Sequence, residues 1–405
     1  MSNLQKSIMK SRLPPIPSAS KVSKLDGSSR RAFQKDYTPK EWHEYFKERK
    51  MISVADNTFC VYISPEPKEK GPLIVLLHGG GFSALTWALF SSEITSMIHC
   101  QCLAIDLRGH GDSETTDDWD LSGTTLATDV AQVIATLYPE GSSPPIILVG
   151  HSMGGAIATH LVHLNIVNNL IGLTVIDVVE GTAMDALASM QSFLRSRPSY
   201  FKSISQAIEW SVRSGQIRNL ESAKVSMPGQ IMNTETMKVS TNELPLCDEH
   251  GILDASTTSP STFINPLSIA EDPEAEAGDV PSSTTTAAAV FKQPQLEAVN
   301  TKKYTWRIDL SKSEKFWAGW FEGLSQKFLD LPVAKLLLLA SIDGLDRTLT
   351  VGQMQGKFQM QVLARCGHAV HEDRPSEVAE VIASYMIRNE FATACGDFVR
   401  HMPAC

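Results

Sequence analysis

Ile146-Ile147-Leu148-Val149-Gly150-His151-Ser152-Met153-Gly154-Gly155-Ala156-Ile157-Ala158 is the stretch on which the fold turns. Its first four residues form an unbroken apolar run, as a short strand buried on both faces requires. Its last residues open a helical pattern that continues to Leu164. Between them stands G-x-S-x-G, a weak signal alone, since average residue usage produces it by chance in roughly one chain of this length in ten. The flanking strand and helix give it meaning. A serine on a sharp strand-to-helix turn strains the backbone, so residues two before and two after must be small; Gly150 and Gly154 satisfy this. The Ser152 hydroxyl is then held at a helix N-terminus, where developing negative charge is favoured. Ser152 is accordingly the expected nucleophile of a serine hydrolase.

Working outward, the same apolar signature recurs at Leu73–Leu77, Cys102–Ile105, Leu173–Ile176 and Leu336–Leu339. Phe59–Ile63 reads as an early edge strand, and Phe358–Val362 as a last one. Helical patterns lie between them, including Leu126 to Leu137. Strands alternating with helices indicate a mostly parallel, doubly wound sheet. With the elbow, this predicts an α/β-hydrolase fold. A helical cap is expected at about 184–230, where Met184, Leu187, Met190 and Leu194, then Ile204, Ile208 and Val212, mark two amphipathic helices. Residues of about 233–303 are rich in Ser, Thr, Ala, Pro and Glu and are expected to form a long disordered insert. Residues 1–40, with Pro14-Pro15-Ile16-Pro17 at their centre, read as a disordered tail, and 41–405 as a single domain. The aromatic cluster Phe316, Trp317, Trp320 and Phe321 is expected in core or cap.

Composition excludes several classes. A net charge of −9 with no basic stripe argues against a nucleic-acid footprint. No apolar run is long enough to span a bilayer, and no secretory signal opens the chain. The seven cysteines are odd in number and match no metal or redox spacing, so reduced thiols and no metal site are expected. The expected location is cytoplasmic, and the basic residues from Lys21 to Lys35 leave nuclear entry open.

The chemistry needs partners for Ser152. An oxyanion hole requires two backbone N–H donors aimed at one point. Met153 should supply the first, and the His78-Gly79-Gly80-Gly81 loop the second, with Gly80 preferred and Gly81 next. Asp106-Leu107-Arg108-Gly109-His110-Gly111-Asp112-Ser113 reads as a structural turn. The general base should lie beyond the last strand, where Gly367-His368-Ala369-Val370-His371 favours His368 over His371. His78 and His151 are expected to be structural donors. For the acid, Asp177 follows one strand while Asp343 and Asp346 follow the next; topology alone favours Asp343, and the residues do not decide.

Several blocks resemble the protein phosphatase methylesterases. They include Leu76 to Gly81, Gly150 to Ala158, Ile176-Asp177-Val178-Val179-Glu180-Gly181-Thr182-Ala183-Met184, Ser214 to Ala223, Val351 to Met360 and Cys366 to Asp373. The resemblance implies hydrolysis of the methyl ester on the C-terminal leucine of type 2A protein phosphatase catalytic subunits, which would be both substrate and partner. It implies no cofactor, and it carries the triad acid onto Asp177 beside Ser152 and His368. The tail and the insert match that family poorly, so no partner contact is carried over from them.

Overall fold

The computed structural model describes residues 35–139, 142–244, 302–396 and 398. Most of the predicted tail and insert lies outside them. The elements from Tyr37 onward belong to one unit.

The strands are β1 (Glu48–Val54), β2 (Asn57–Ile63), β3 (Leu73–Leu77), β4 (Gln101–Ile105), β5 (Ile146–His151), β6 (Leu170–Ile176), β7 (Tyr200–Phe201), β8 (Ile231–Asn233), β9 (Tyr304–Trp306), β10 (Ala334–Leu339) and β11 (Gln359–Val362). Eight of them form one sheet in the order β1-β2-β4-β3-β5-β6-β10-β11. Only β2 runs against the others; its pairs with β1 and β4 are antiparallel and the remaining pairs are parallel.

The continuous apolar runs have the expected cause. Leu73, Val75 and Leu77 of β3 enter one core, while Ile74 and Leu76 enter the other, because successive strand residues point to opposite faces. Helices α1 (Ala88–Met97) and α11 (Pro375–Arg388) cover one face, and α2 (Gly123–Leu137) and α3 (Met153–Leu164) cover the other. The intervening helices are α4 (Glu180–Ser196), α5 (Ile204–Ser214), α6 (Leu220–Ser226), α7 (Glu314–Phe321), α8 (Leu324–Asp330), α9 (Arg347–Met354) and α10 (Val370–Asp373). From β3 the chain steps outward to β4, then returns to β5 on β3's other side. Strand order reverses there, and the loops leaving β3 and β5 part to leave a crevice at the carboxyl edge, where ligands bind in sheets of this kind.

The predicted cap and insert boundaries need correction. The first cap helix begins at Glu180, not at 184, and the cap continues past 230 into a small antiparallel sheet ordered β7-β9-β8. Strands of two or three residues carry no readable alternation, which is why the sequence concealed this sheet. The insert was expected from 233, yet residues through 244 are placed and partly buried. Ser240 Oγ donates to the Pro228 carbonyl at 2.8 Å, and Thr241 Oγ1 donates to Asp112 at 2.8 Å. On the far side, Tyr304 Oη donates to Glu243 at 2.5 Å, so the residues flanking the segment meet beside the cap sheet. Replacing 246–301 by a short Gly/Ser linker is therefore expected to shift the melting temperature by only a few degrees and to preserve hydrolysis of a small activated ester. Loss of soluble protein, or of that activity, would show that the segment is structural.

Trp317, Trp320 and Phe321 are buried in the core on the α3 face, and the indole of Trp320 donates to the Leu121 carbonyl at 2.6 Å. No helix among the described residues is long and apolar enough to cross a membrane.

Candidate active site

Ser152 sits between β5 and α3 at φ 52° and ψ −120°, a conformation that costs a non-glycine residue roughly 1–3 kcal/mol. Its neighbours explain how the turn is held. A Cβ on Gly150 would lie 2.2 Å from the Gly154 carbonyl oxygen, and one on Gly154 would lie 2.3 Å from the Leu77 oxygen. The Ser152 amide donates to the Ile176 carbonyl at 2.9 Å, tying the elbow to β6. Gly154→Ala is expected to destabilise the fold by at least about 3 kcal/mol, because the colliding atoms are backbone and cannot swing aside. A denaturant titration showing less than about 1 kcal/mol would mean the elbow relaxes.

Asp177 directly follows β6, also at positive φ (52°), with its amide donating to the Leu338 carbonyl of β10 at 2.8 Å. One carboxylate oxygen, Oδ1, accepts from the Ala340 amide at 2.8 Å, and Oδ2 faces Nδ1 of His368 at 2.8 Å. A carboxylate can only accept, so Nδ1 carries the proton and Nε2 is left as an acceptor. Nε2 lies 2.9 Å from Ser152 Oγ, which donates to it. Burial alone would raise the Asp177 carboxyl, but the hydrogen bond and charge of His368, with the Ala340 amide, hold it below its ordinary value. The three side chains come from three separate loops at the carboxyl edge, and together they can draw a proton from the serine hydroxyl. The His368 side chain is 57% exposed, so the site opens directly to solvent.

Of the rival acids, Asp346 is committed elsewhere. Asp346 caps α9, accepting from the Leu349 amide at 2.8 Å and from the Ser325 hydroxyl. Asp343 lies in the short 3-10 helix Ile342–Gly344 after β10, and the Nδ1 position on His368 is taken by Asp177.

The oxyanion loop separates its two glycines. Gly81 was a candidate donor, but its amide donates to Nε2 of His110 at 2.9 Å, which corrects that expectation. Gly80 makes no such bond among the described residues, and its Cα faces the Met153 side chain, since a Cβ there would lie 3.7 Å from the sulfur. The Met153 amide, first in α3, has no partner four residues back. Both amides are candidate donors beside the elbow.

Four buried histidines brace the loops. His78 donates from Nδ1 to the Gly79 carbonyl at 2.8 Å and accepts the Leu107 amide at 3.0 Å. His110 donates from Nδ1 to the Arg108 carbonyl at 2.8 Å. His151 donates from Nε2 to the carbonyl of His368 at 2.8 Å, fixing the backbone of that loop. His371 packs its ring 4.1 Å from that of Trp87 and 4.5 Å from that of His151. Burial holds His78 and His151 well below the usual imidazole range, His110 near about 4 and His371 near about 3, so all four are neutral at pH 7. The Asp106 turn is structural, as expected: its carboxylate accepts from the Ala84 and Asp112 amides at 2.7 and 3.0 Å.

Beneath the His368 loop, Glu372 is fully buried and accepts from the hydroxyls of Thr86, Ser222 and Ser226 at 2.5, 2.7 and 3.2 Å. This network joins the loop to α6 of the cap. Burial drives the Glu372 carboxyl up to about 7 against the pull of those hydroxyls. The unfolded chain releases this proton near 4.5, so the native state binds it more tightly. The stability so contributed is complete below the unfolded value and is lost as pH rises through about 7. Glu372→Gln should remove this dependence, so that wild type loses on the order of 3 kcal/mol relative to the variant between pH 4.5 and 8. Denaturant titrations across that range would read it, and parallel stability curves would contradict it.

Comparisons with known proteins agree with this architecture. The profile of the Alpha/beta hydrolase family matches residues 74–381. The chain is 48% identical to Protein phosphatase methylesterase 1 of Mus musculus over 416 aligned residues, covering 100% of both chains. The protein of that name from Homo sapiens is likewise 48% identical, again over 100% of both. Among solved structures, E-2-(acetamidomethylene)succinate hydrolase superposes with a TM-score of 0.54 at 15% identity, over 84% of this chain and 99% of that one, a likeness of fold alone. Similarity that runs end to end, on a sheet and elbow of this form, places the chain in the protein phosphatase methylesterase family of α/β hydrolases, as a carboxylic ester hydrolase.

Proposed function

We propose that the chain removes the methyl ester from the C-terminal leucine of the type 2A protein phosphatase catalytic subunit, with Ser152 as nucleophile. The observation that carries the reading is the end-to-end 48% identity to proteins named Protein phosphatase methylesterase 1, and the chain from Ser152 Oγ through His368 to Asp177, at 2.9 and 2.8 Å, supplies the chemistry. In this mechanism His368 Nε2 takes the hydroxyl proton as Ser152 attacks the ester carbonyl. Asp177 holds the imidazole in the required tautomer and stabilises its cation. The amides of Met153 and Gly80 hold the tetrahedral oxyanion. His368 returns the proton to departing methanol, then activates a water that releases the leucine carboxylate.

A general small-molecule esterase would share these groups. The open site argues for a large substrate, since the reactive histidine is not sunk in an enclosed pocket. The test compares kcat/KM for methylated phosphatase catalytic subunit with that for simple methyl esters of leucine. A preference of at least about 100-fold for the phosphatase supports the reading, because contacts beyond the ester should be realised in the transition state. Equal rates would favour the general esterase.

A further inference from the structure

Beside the oxyanion loop lies an open cavity of about 360 Å³, lined by the end of α4 and by residues that follow β9. Its unusual member is Arg197. The guanidinium carbon lies over the indole of Trp306, 3.4 Å from the ring centroid. Its Nε is buried with no hydrogen-bond partner, and among the described residues the guanidinium forms no ion pair. A partly desolvated charge with no ion-pair partner is costly, and burial lowers this group to about 10, with only Asp309 opposing. Asp309 is engaged elsewhere, accepting from the Ser311 amide and hydroxyl at 3.2 and 2.6 Å, with Lys312 at 3.8 Å.

The platform under Arg197 is rigid. The Trp306 indole donates to the Pro198 carbonyl at 2.7 Å, and its ring meets Phe201 and Trp210 edge-on, each at 5.4 Å. With the indole against the guanidinium and Nε buried, binding is left to the Nη groups, whose N–H donors match a carboxylate. The position is also telling. A Cβ on Gly81 would lie 3.8 Å from Nη1 of Arg197, and Leu310 touches both this loop and the cavity. Arg197 therefore borders the loop that carries Gly80.

We propose that Arg197, stacked on Trp306, is a specificity-determining subsite for an acidic side chain in the peptide segment preceding the esterified residue. This rests on the reading of the reaction given above.

The experiment uses synthetic peptides ending in leucine methyl ester, identical except for one Glu or Gln stepped through successive upstream positions. Binding is followed by fluorescence anisotropy of an N-terminal label in the Ser152→Ala background, and turnover as kcat/KM with an intact serine. Each is measured with Arg197, Arg197→Gln and Arg197→Lys, after melting curves show the variants folded. At one register the Glu peptide should be favoured by roughly tenfold in both readouts, as expected of a charge-assisted pair. Arg197→Gln should bring that Glu-to-Gln ratio to about one, and Arg197→Lys should keep part of it. No Glu preference at any register, or one that survives Arg197→Gln, overturns the proposal. If methylated phosphatase catalytic subunit, assayed in parallel, is left intact but the binding preference follows Arg197, the reaction assignment fails and the subsite stands. Turnover without preference has the opposite meaning.

Discussion

Ser152→Ala is expected to reduce ester hydrolysis by a factor on the order of 10⁵ or more while leaving the fold intact. The change deletes one oxygen, whose one hydrogen bond among the described residues is to Nε2 of His368. It does not add strain, since alanine carries the same Cβ into the φ 52° turn that serine already occupies. Removing the nucleophile also removes the site of covalent capture, so labelling by a fluorophosphonate should vanish. The melting temperature should stay within a few degrees. Labelling that persists in the variant would place the nucleophile elsewhere.

Asp177→Asn should cost about 10⁴-fold in turnover, the scale seen when a triad carboxylate becomes an amide. The hydrogen bonds specify how. The Ala340 amide requires an acceptor at Oδ1, so the Asn oxygen stays there and its NH₂ group faces His368. Nδ1 must then accept, the ring proton moves to Nε2, and Nε2 can no longer take the serine proton. Asp343→Asn should stay within about tenfold of wild type, since His368 Nδ1 is already held by Asp177. Both variants need a melting curve before assay on methylated phosphatase. A nearly inactive Asp343→Asn beside an active Asp177→Asn would reverse the assignment.

The parallel strands were legible because burial on both faces demands unbroken apolar runs, and Leu73–Leu77 matches its strand residue for residue. Strand β1 was not, since Glu48, Arg49 and Lys50 place charges on an edge strand that only partly faces the core. The cap's three-stranded sheet was hidden for a different reason, its strands being too short for any period.

At the site, the elbow and the late histidine could be read locally, because a turn and a loop announce themselves through glycine. The acid could not. Asp177 and Asp343 both leave strands at the same edge, and it takes the 2.8 Å contact between Asp177 and His368 to favour the first. The Gly80 and Gly81 amides look alike in sequence, and it takes His110, far along the chain, to commit one of them. Arg197 carried no signal at all: a lone arginine after a helix is ordinary until Trp306, beyond the insert, comes to lie beneath it.

The claim that most needs testing is acyl transfer from the phosphatase C-terminus to Ser152. Methylated phosphatase catalytic subunit should be incubated with the enzyme in heavy-oxygen water and its C-terminal peptide weighed. Attack at the carbonyl followed by hydrolysis of the acyl-enzyme places one heavy oxygen in the leucine carboxylate and none in the methanol, and Ser152→Ala gives neither product. Heavy oxygen in the methanol, or an unchanged methyl ester with the wild-type enzyme, would contradict the account.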